Sequence, residues 1–404
     1  LQGLKDRFAF TETWQRNLLV LWFGTFMTGI GSSLIAPFIS LYVDSLADLS
    51  KSELSLWSGS IFASNFLMMA IVSPLWGRLA DKYGRKPMLL RAAAGMAITI
   101  FLMGFVTAPW QLLALRLLMG LFSGFTSNSI ALMAISTPKE KSGVVMSTLS
   151  TGNVAGTLIG PLVGGLVVTF AGYRATFWIT GVVMAFVFLL AWRFVREHFT
   201  KTDAKVKVGG LKDVLTRVQH PAMIWSMLLT TLVVLMTNQS IAPVLTLFIR
   251  EITPNTLNVN VMSGIIASAP GIVTLIMAPL LGRLGDRIGQ QRILGVGLLV
   301  SLVIFILTIF VKDVWLLLVL RLLIGVSDAA IIPSVQAILA KNAPADVTGR
   351  IFSYNQSAQS IGAVAGPVIG SAVAAVFDYR FVFLAAAIFV VINLFNYRQT
   401  TKKV

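Results

Sequence analysis

Twelve long stretches of this 404-residue chain carry almost no charge, and they limit what it can fold into more than any other feature. A helix that crosses ~30 Å of hydrocarbon needs ~20 mostly apolar residues. Stretches near 17–43, 55–77, 87–107, 110–135, 143–170, 175–193, 221–249, 257–282, 293–311, 314–340, 351–376 and 381–397 meet that requirement. With 56% hydrophobic and 12% charged residues, the chain has more apolar surface than a water-soluble core can hide. Lipid must be part of its solvent, and an all-α integral membrane protein with twelve transmembrane helices is expected.

A net charge of +16 in a soluble protein would suggest nucleic acid, but here the basic residues follow the spans. With the N-terminus placed in the cytoplasm, 25 of the 32 Lys and Arg fall on the inner side, 5 fall outside (Lys51, Arg174, Arg250, Lys312 and Arg380), and 2 lie within spans. This asymmetry predicts a multi-pass protein of a cytoplasmic membrane with both termini inside, and no nucleic-acid partner. The chain has no Cys, and its two His, His198 and His220, flank the central loop. Disulfides, thiol chemistry and His-rich metal sites are thereby excluded, no cofactor is expected, and no nucleophile–base set or nucleotide loop suggests an enzyme.

Shifting the chain on itself by 205 or 206 positions superposes separated features. Ser58-Gly59 meets Ser263-Gly264, Pro74 meets Pro279, and GRLADKYG from Gly77 meets GRLGDRIG from Gly282. Arg116 and Gly120 meet Arg321 and Gly325, Gly160-Pro161 meets Gly366-Pro367, and Tyr173-Arg174 meets Tyr379-Arg380. Six is an even number of spans, so both copies enter from the same side as parallel repeats. The expected organisation is a six-helix bundle over 1–193, a linker over 194–220 and a second six-helix bundle over 221–404. Within the linker, Leu211, Val214, Leu215 and Val218 recur at helical spacing, which reads as a short interfacial helix serving as a spacer.

The loop after span two, GRLADKYGRKPML from Gly77 to Leu89, resembles the signature loop of the major facilitator superfamily. Gly77 and Gly84 read as the residues of a tight turn, with Asp81 set among Arg78, Lys82, Arg85 and Lys86. The resemblance implies that Asp81, Arg85 and Lys86 brace the closed state on the cytoplasmic side, as a gate. The second copy keeps Gly282, Asp286 and Gly289 but ends Gln290-Gln291-Arg292, losing part of the basic tail. Span five carries Gly152, Gly156, Gly160-Pro161 and Gly164-Gly165 at four-residue spacing, which lets helices approach closely, with a bend at the Pro. This run resembles the antiporter motif of the superfamily's exporters, and RLLMG from Arg116 resembles the span-four motif whose Arg is associated with proton movement.

Charges within spans are costly, at ~2.5 kcal/mol or more near mid-depth, so they normally face a cavity or a partner. Arg116 and Arg321 stand about two turns from the outer ends of spans four and ten, where snorkelling competes with a role in coupling. Asp328, roughly halfway along span ten, is the one acid well inside a span. Such a carboxyl can hold a proton when dry and release it when wet. The alternative is a permanent ion pair, but Arg321 lies ~10 Å away along the axis and leans the other way. Mid-span amides at Asn65, Asn128, Asn153, Asn238, Gln239, Asn355, Gln356 and Gln359 should face the interior, either as substrate contacts or as interhelical hydrogen bonds.

Taken over the whole chain, the resemblance is to the superfamily's twelve-span drug:proton antiporters. It implies the major facilitator fold, two pseudo-symmetric six-helix bundles, and export of drug-like amphipathic compounds in exchange for protons by a monomer. A dedicated exporter or flippase of one metabolite or lipid, and a non-transporting sensor, are the alternatives.

Overall fold

A computed structural model describes residues 13–197, 218, 220–344 and 347–401. The interfacial helix expected over 211–218 lies outside the described residues, Val218 excepted. The helices are α1 (Thr13–Ile35), α2 (Ile39–Asp44), α3 (Lys51–Tyr83), α4 (Arg85–Met103), α5 (Pro109–Phe122), α6 (Phe125–Ser136) and α7 (Ser142–Phe194), followed by α8 (Pro221–Ile252), α9 (Val259–Ile288), α10 (Gln290–Ile309), α11 (Val314–Asn342), α12 (Thr348–Val376) and α13 (Tyr379–Thr401).

Among the described residues, eleven helical runs are long and apolar enough to cross a membrane. The expected count of twelve returns once α7 is read as two spans. Its 53 residues would extend roughly 80 Å, far more than one crossing. The break is at Gly172, whose φ of 79° and ψ of 172° leave helical geometry. The backbone stays helical through Gly160-Pro161, so the non-helical point in this run is not at that Pro.

Contacts divide the chain into two compact units. One comprises the described residues of Leu1–Ala36 and Leu67–Ala204, and the other those of Pro37–Phe66 and Lys205–Val404. In the first unit α1 lies along the glycine face of α7. A Cβ at Gly152 would stand 2.8 Å from the Trp22 carbonyl oxygen, and one at Gly156 would run into the Phe26 carbonyl. Gly160 meets Ser33 in the same way, while Gly164 and Gly165 are buried. Asn17, fully buried, clamps the far end of α7 by donating to the Arg196 carbonyl (2.7 Å) and accepting from its N–H (3.0 Å).

The second unit repeats this packing between α8 and α12. A Cβ at Gly362 or Gly366 would come within 2.6 Å of the Leu232 carbonyl oxygen or 2.5 Å of that of Met236. Small residues at helical spacing thus bring backbone against backbone in both units, where packing rather than hydrophobicity must hold helices together in lipid. At the end opposite the Gly282–Arg292 turn, Lys51 bridges Glu251 and Asp378 at 2.8 Å each, and Arg250 pairs with Asp44. The cations assigned to the outer side at Lys51 and Arg250 are therefore neutralised locally.

Candidate functional site

Asp328 stands in α11, and the Asn238 side chain of α8 donates toward both carboxylate oxygens at 3.4 Å. Among the described residues no salt bridge joins Asp328 to Arg321, which lies two turns earlier on the same helix. Around this carboxyl, α11 is tied to its other neighbours. Thr274 of α9 donates to the Gly325 carbonyl (2.9 Å), and Ser327 donates to the Gly297 carbonyl of α10 (2.8 Å). Gly325 is needed there, because a Cβ would press on the Pro270 backbone. The carboxyl thus projects from a segment anchored by α8, α9 and α10, facing an amide that can either donate to a carboxylate or accept from a carboxylic acid.

The remaining amides divide by environment. Asn355, only 2% exposed, accepts from Thr231 at 2.7 Å and so joins α12 to α8, which is the interhelical role. Asn128 donates to the Gly124 carbonyl at 2.8 Å on its own helix. Gln239 packs beside Gly366. Gln356 is exposed, Gln359 is half-buried, and Asn65 is half-buried with its Oδ1 lacking a hydrogen bond.

Span four of the first unit departs from the repeat. α5 ends at Phe122 and α6 begins at Phe125, with Gly124 at φ 114°, a value that side-chain-bearing residues rarely adopt. The carbonyls around the break are satisfied from outside the helix. Trp76 donates its indole N–H to Leu121 (2.8 Å) and Arg91 donates to Ser123 (2.9 Å), while the Arg91 guanidinium stacks 3.7 Å from the Trp76 ring. The repeat puts Ala329 or Ala330 at the place of Gly124, Leu281 at that of Trp76 and Val296 at that of Arg91, and α11 runs through unbroken. Arg91, counted by charge with the inner loops, is in fact half-buried in α4. Arg116, about two turns before the break, is 6% exposed and its guanidinium donates to Met119 Sδ at 3.6 Å.

The signature loop also corrects an expectation. Gly77 does not form the turn; it lies inside α3, with open space where a Cβ would go, and Gly282 lies likewise inside α9. In these two loops the chain reverses at Gly84 (φ 94°) and Gly289 (φ 102°). Asp81 pairs with Arg85 one turn on at 2.7 Å. Lys86 donates to the Trp192 carbonyl at 3.2 Å. Glu197, which has no place in the linear motif, accepts from the backbone N–H groups of Arg85 and Lys86 at 2.7 Å each, placing an anion at the positive end of α4. The signal was present only as an acid stranded in a basic stretch after span six.

Comparison with known proteins agrees with this architecture. The family model described as Major Facilitator Superfamily matches residues 21–252 and 227–403. The chain is 46% identical over 380 residues to "Multidrug resistance protein MdtG" of Salmonella heidelberg (strain SL476), covering 94% of each chain, and equally to that of Salmonella paratyphi C (strain RKS4594). Among solved structures, a bacterial homolog of the human lysosomal transporter Spinster superposes with a TM-score of 0.80 at 15% identity, covering 96% of both chains. The POT family transporter PepTSo gives 0.77 at 11% identity, covering 96% of this chain and 98% of that one. The structural likeness establishes the fold, and with the family model and the sequence relatives it leads to one conclusion: this multi-pass membrane protein belongs to the Major Facilitator Superfamily.

Proposed function

We propose that this chain exports structurally varied, amphipathic small molecules in exchange for protons. The observation that carries the reading is Asp328, an acid at mid-helix whose partner is the neutral amide of Asn238 rather than a cation. A carboxyl so placed can change its protonation without breaking an ion pair, which a coupling group must do on every cycle. The glycine faces and the relatives named as multidrug resistance proteins support the outward direction and the breadth of cargo. In this reading 1–193 and 221–404 act as two halves that alternate access about the linker 194–220. The protein works as a monomer in the bacterial inner membrane with both termini in the cytoplasm.

Arg116 and Arg321 would then set the field around the transported charge, and Asn238, Gln239, Gln356, Gln359 and Asn65 would offer polar contacts to cargo. The test is transport in proteoliposomes with and without a proton gradient, using several unrelated cationic, neutral and zwitterionic dyes. Gradient-driven uphill movement of several dyes is expected. Movement of one compound class alone would replace this reading with a dedicated exporter, and failure of any gradient to drive flux would replace it with a non-transporting role.

A further inference from the structure

Between the end of α9, the start of α10 and the last turns of α11 lies a cavity of about 660 Å³, lined by Arg287, Arg292 and Lys341 among others. All three cations are exposed, and among the described residues none of their side chains makes an ion pair or hydrogen bond. The cavity's one carboxylate, Asp286, already accepts from Gln290 at 2.9 Å. Three cations less one carboxylate leave a charge of +2. Into the same space opens the start of α10, after Gly289, where no side chain caps the helix.

The other copy of the repeat shows what such a place accommodates. The residues of α4 equivalent to Gln290 and Gln291 are Arg85 and Lys86, and their backbone N–H groups are both taken by the Glu197 carboxylate. At the offset of 205 or 206, the residue corresponding to Glu197 is Lys402 or Lys403. One copy therefore supplies its own anion, whereas the other places a lysine in that register and surrounds the helix start with cations.

We propose that this cavity binds a phosphate-bearing anion, the headgroup of an acidic phospholipid in the leaflet it faces. Phosphate oxygens suit both the guanidinium groups of Arg287 and Arg292 and the backbone N–H groups at a helix start. Basic pockets between spanning helices at the inner surface are suited to such headgroups. Ile288 in the wall, 43% exposed, and the nearby Leu284, 41% exposed, offer apolar surface for the attached acyl chains. The proposal is independent of what the protein transports.

The test uses the full-length protein in phosphatidylcholine nanodiscs with phosphatidylglycerol titrated in, read by native mass spectrometry and by the thermal unfolding midpoint. Wild type should retain phosphatidylglycerol and unfold at a higher temperature as it is added. Arg287→Gln/Arg292→Gln/Lys341→Gln should bind it roughly 100-fold more weakly, about fivefold per charge, and lose the thermal response. Arg283→Gln, on α9 but outside the cavity lining, should remain close to wild type. Inorganic phosphate at fixed ionic strength distinguishes the sources: failure to displace the lipid supports the headgroup, and displacement overturns it in favour of a soluble phosphate. The anion site itself is overturned if the triple variant binds phosphatidylglycerol as tightly as wild type, or if Arg283→Gln weakens binding as much as the triple change.

Discussion

The turns at Gly84 and Gly289 share a backbone and differ in chemistry. Each reverses the chain through one glycine at positive φ, and each places an acid one turn before a partner, Asp81 with Arg85 and Asp286 with Gln290. In the second turn the amide keeps the hydrogen bond and discards the charge. It is then held from two further sides, donating to the Gly282 carbonyl (3.3 Å) and accepting from Ser334 (2.9 Å). Gly285, where the first copy has Ala80, leaves room for the Gln290 side chain. The glycine faces differ less between the copies: Gly156, Gly160 and Gly164 recur as Gly362, Gly366 and Gly370, whereas Gly152 and Gly165 give way to Ala358 and Ser371. At the tightest backbone approaches, those of Gly156 and Gly160, the repeat keeps its glycines, and at the polar turn it exchanges an ion pair for an amide.

The largest effect should come from the shared feature. Gly156→Leu would force α1 away from α7, because even a Cβ collides with the Phe26 carbonyl. A loss of about 3 kcal/mol or more is expected, seen as failure to recover monodisperse protein. Next comes the anion peculiar to the first copy. Glu197→Ala removes the acceptor of two N–H groups at the start of α4 and should cost about 1–2 kcal/mol, read as a lowered unfolding midpoint. Gln291→Ala, at the corresponding start of α10, where no side chain caps the helix, should stay within about 0.5 kcal/mol. An equal cost at both positions would erase the distinction between the turns. The smallest effect is that of Gln290→Arg, which restores the missing ion pair to the exposed Asp286 and should change stability by only about 0.3–0.5 kcal/mol. A shift of several times that size would mean the Ser334 and Gly282 contacts hold the turn.

The spans and the repeat were legible because lipid imposes a length and an apolarity that any crossing helix must meet. The glycine faces were legible because close backbone approach requires a small residue at each turn. Gly77 was misread because a glycine beside a charged loop looks the same whether the helix has ended or not. Glu197 and the Trp76–Arg91 pair left no periodic trace, since each acts on backbone groups 32 to 112 residues away. The break at Ser123-Gly124 had one visible sign, a glycine with Ala329 or Ala330 in place of its repeat mate. Asp328 stood out by its rarity, but its partner Asn238 was one amide among eight and only the fold distinguishes it.

Coupling through Asp328 is the central claim, and Asp328→Asn tests it most directly. In proteoliposomes the variant should lose uphill export driven by a proton gradient while still exchanging the same dye downhill at a measurable rate. Uphill export at the wild-type level would contradict the account and remove Asp328 from the mechanism.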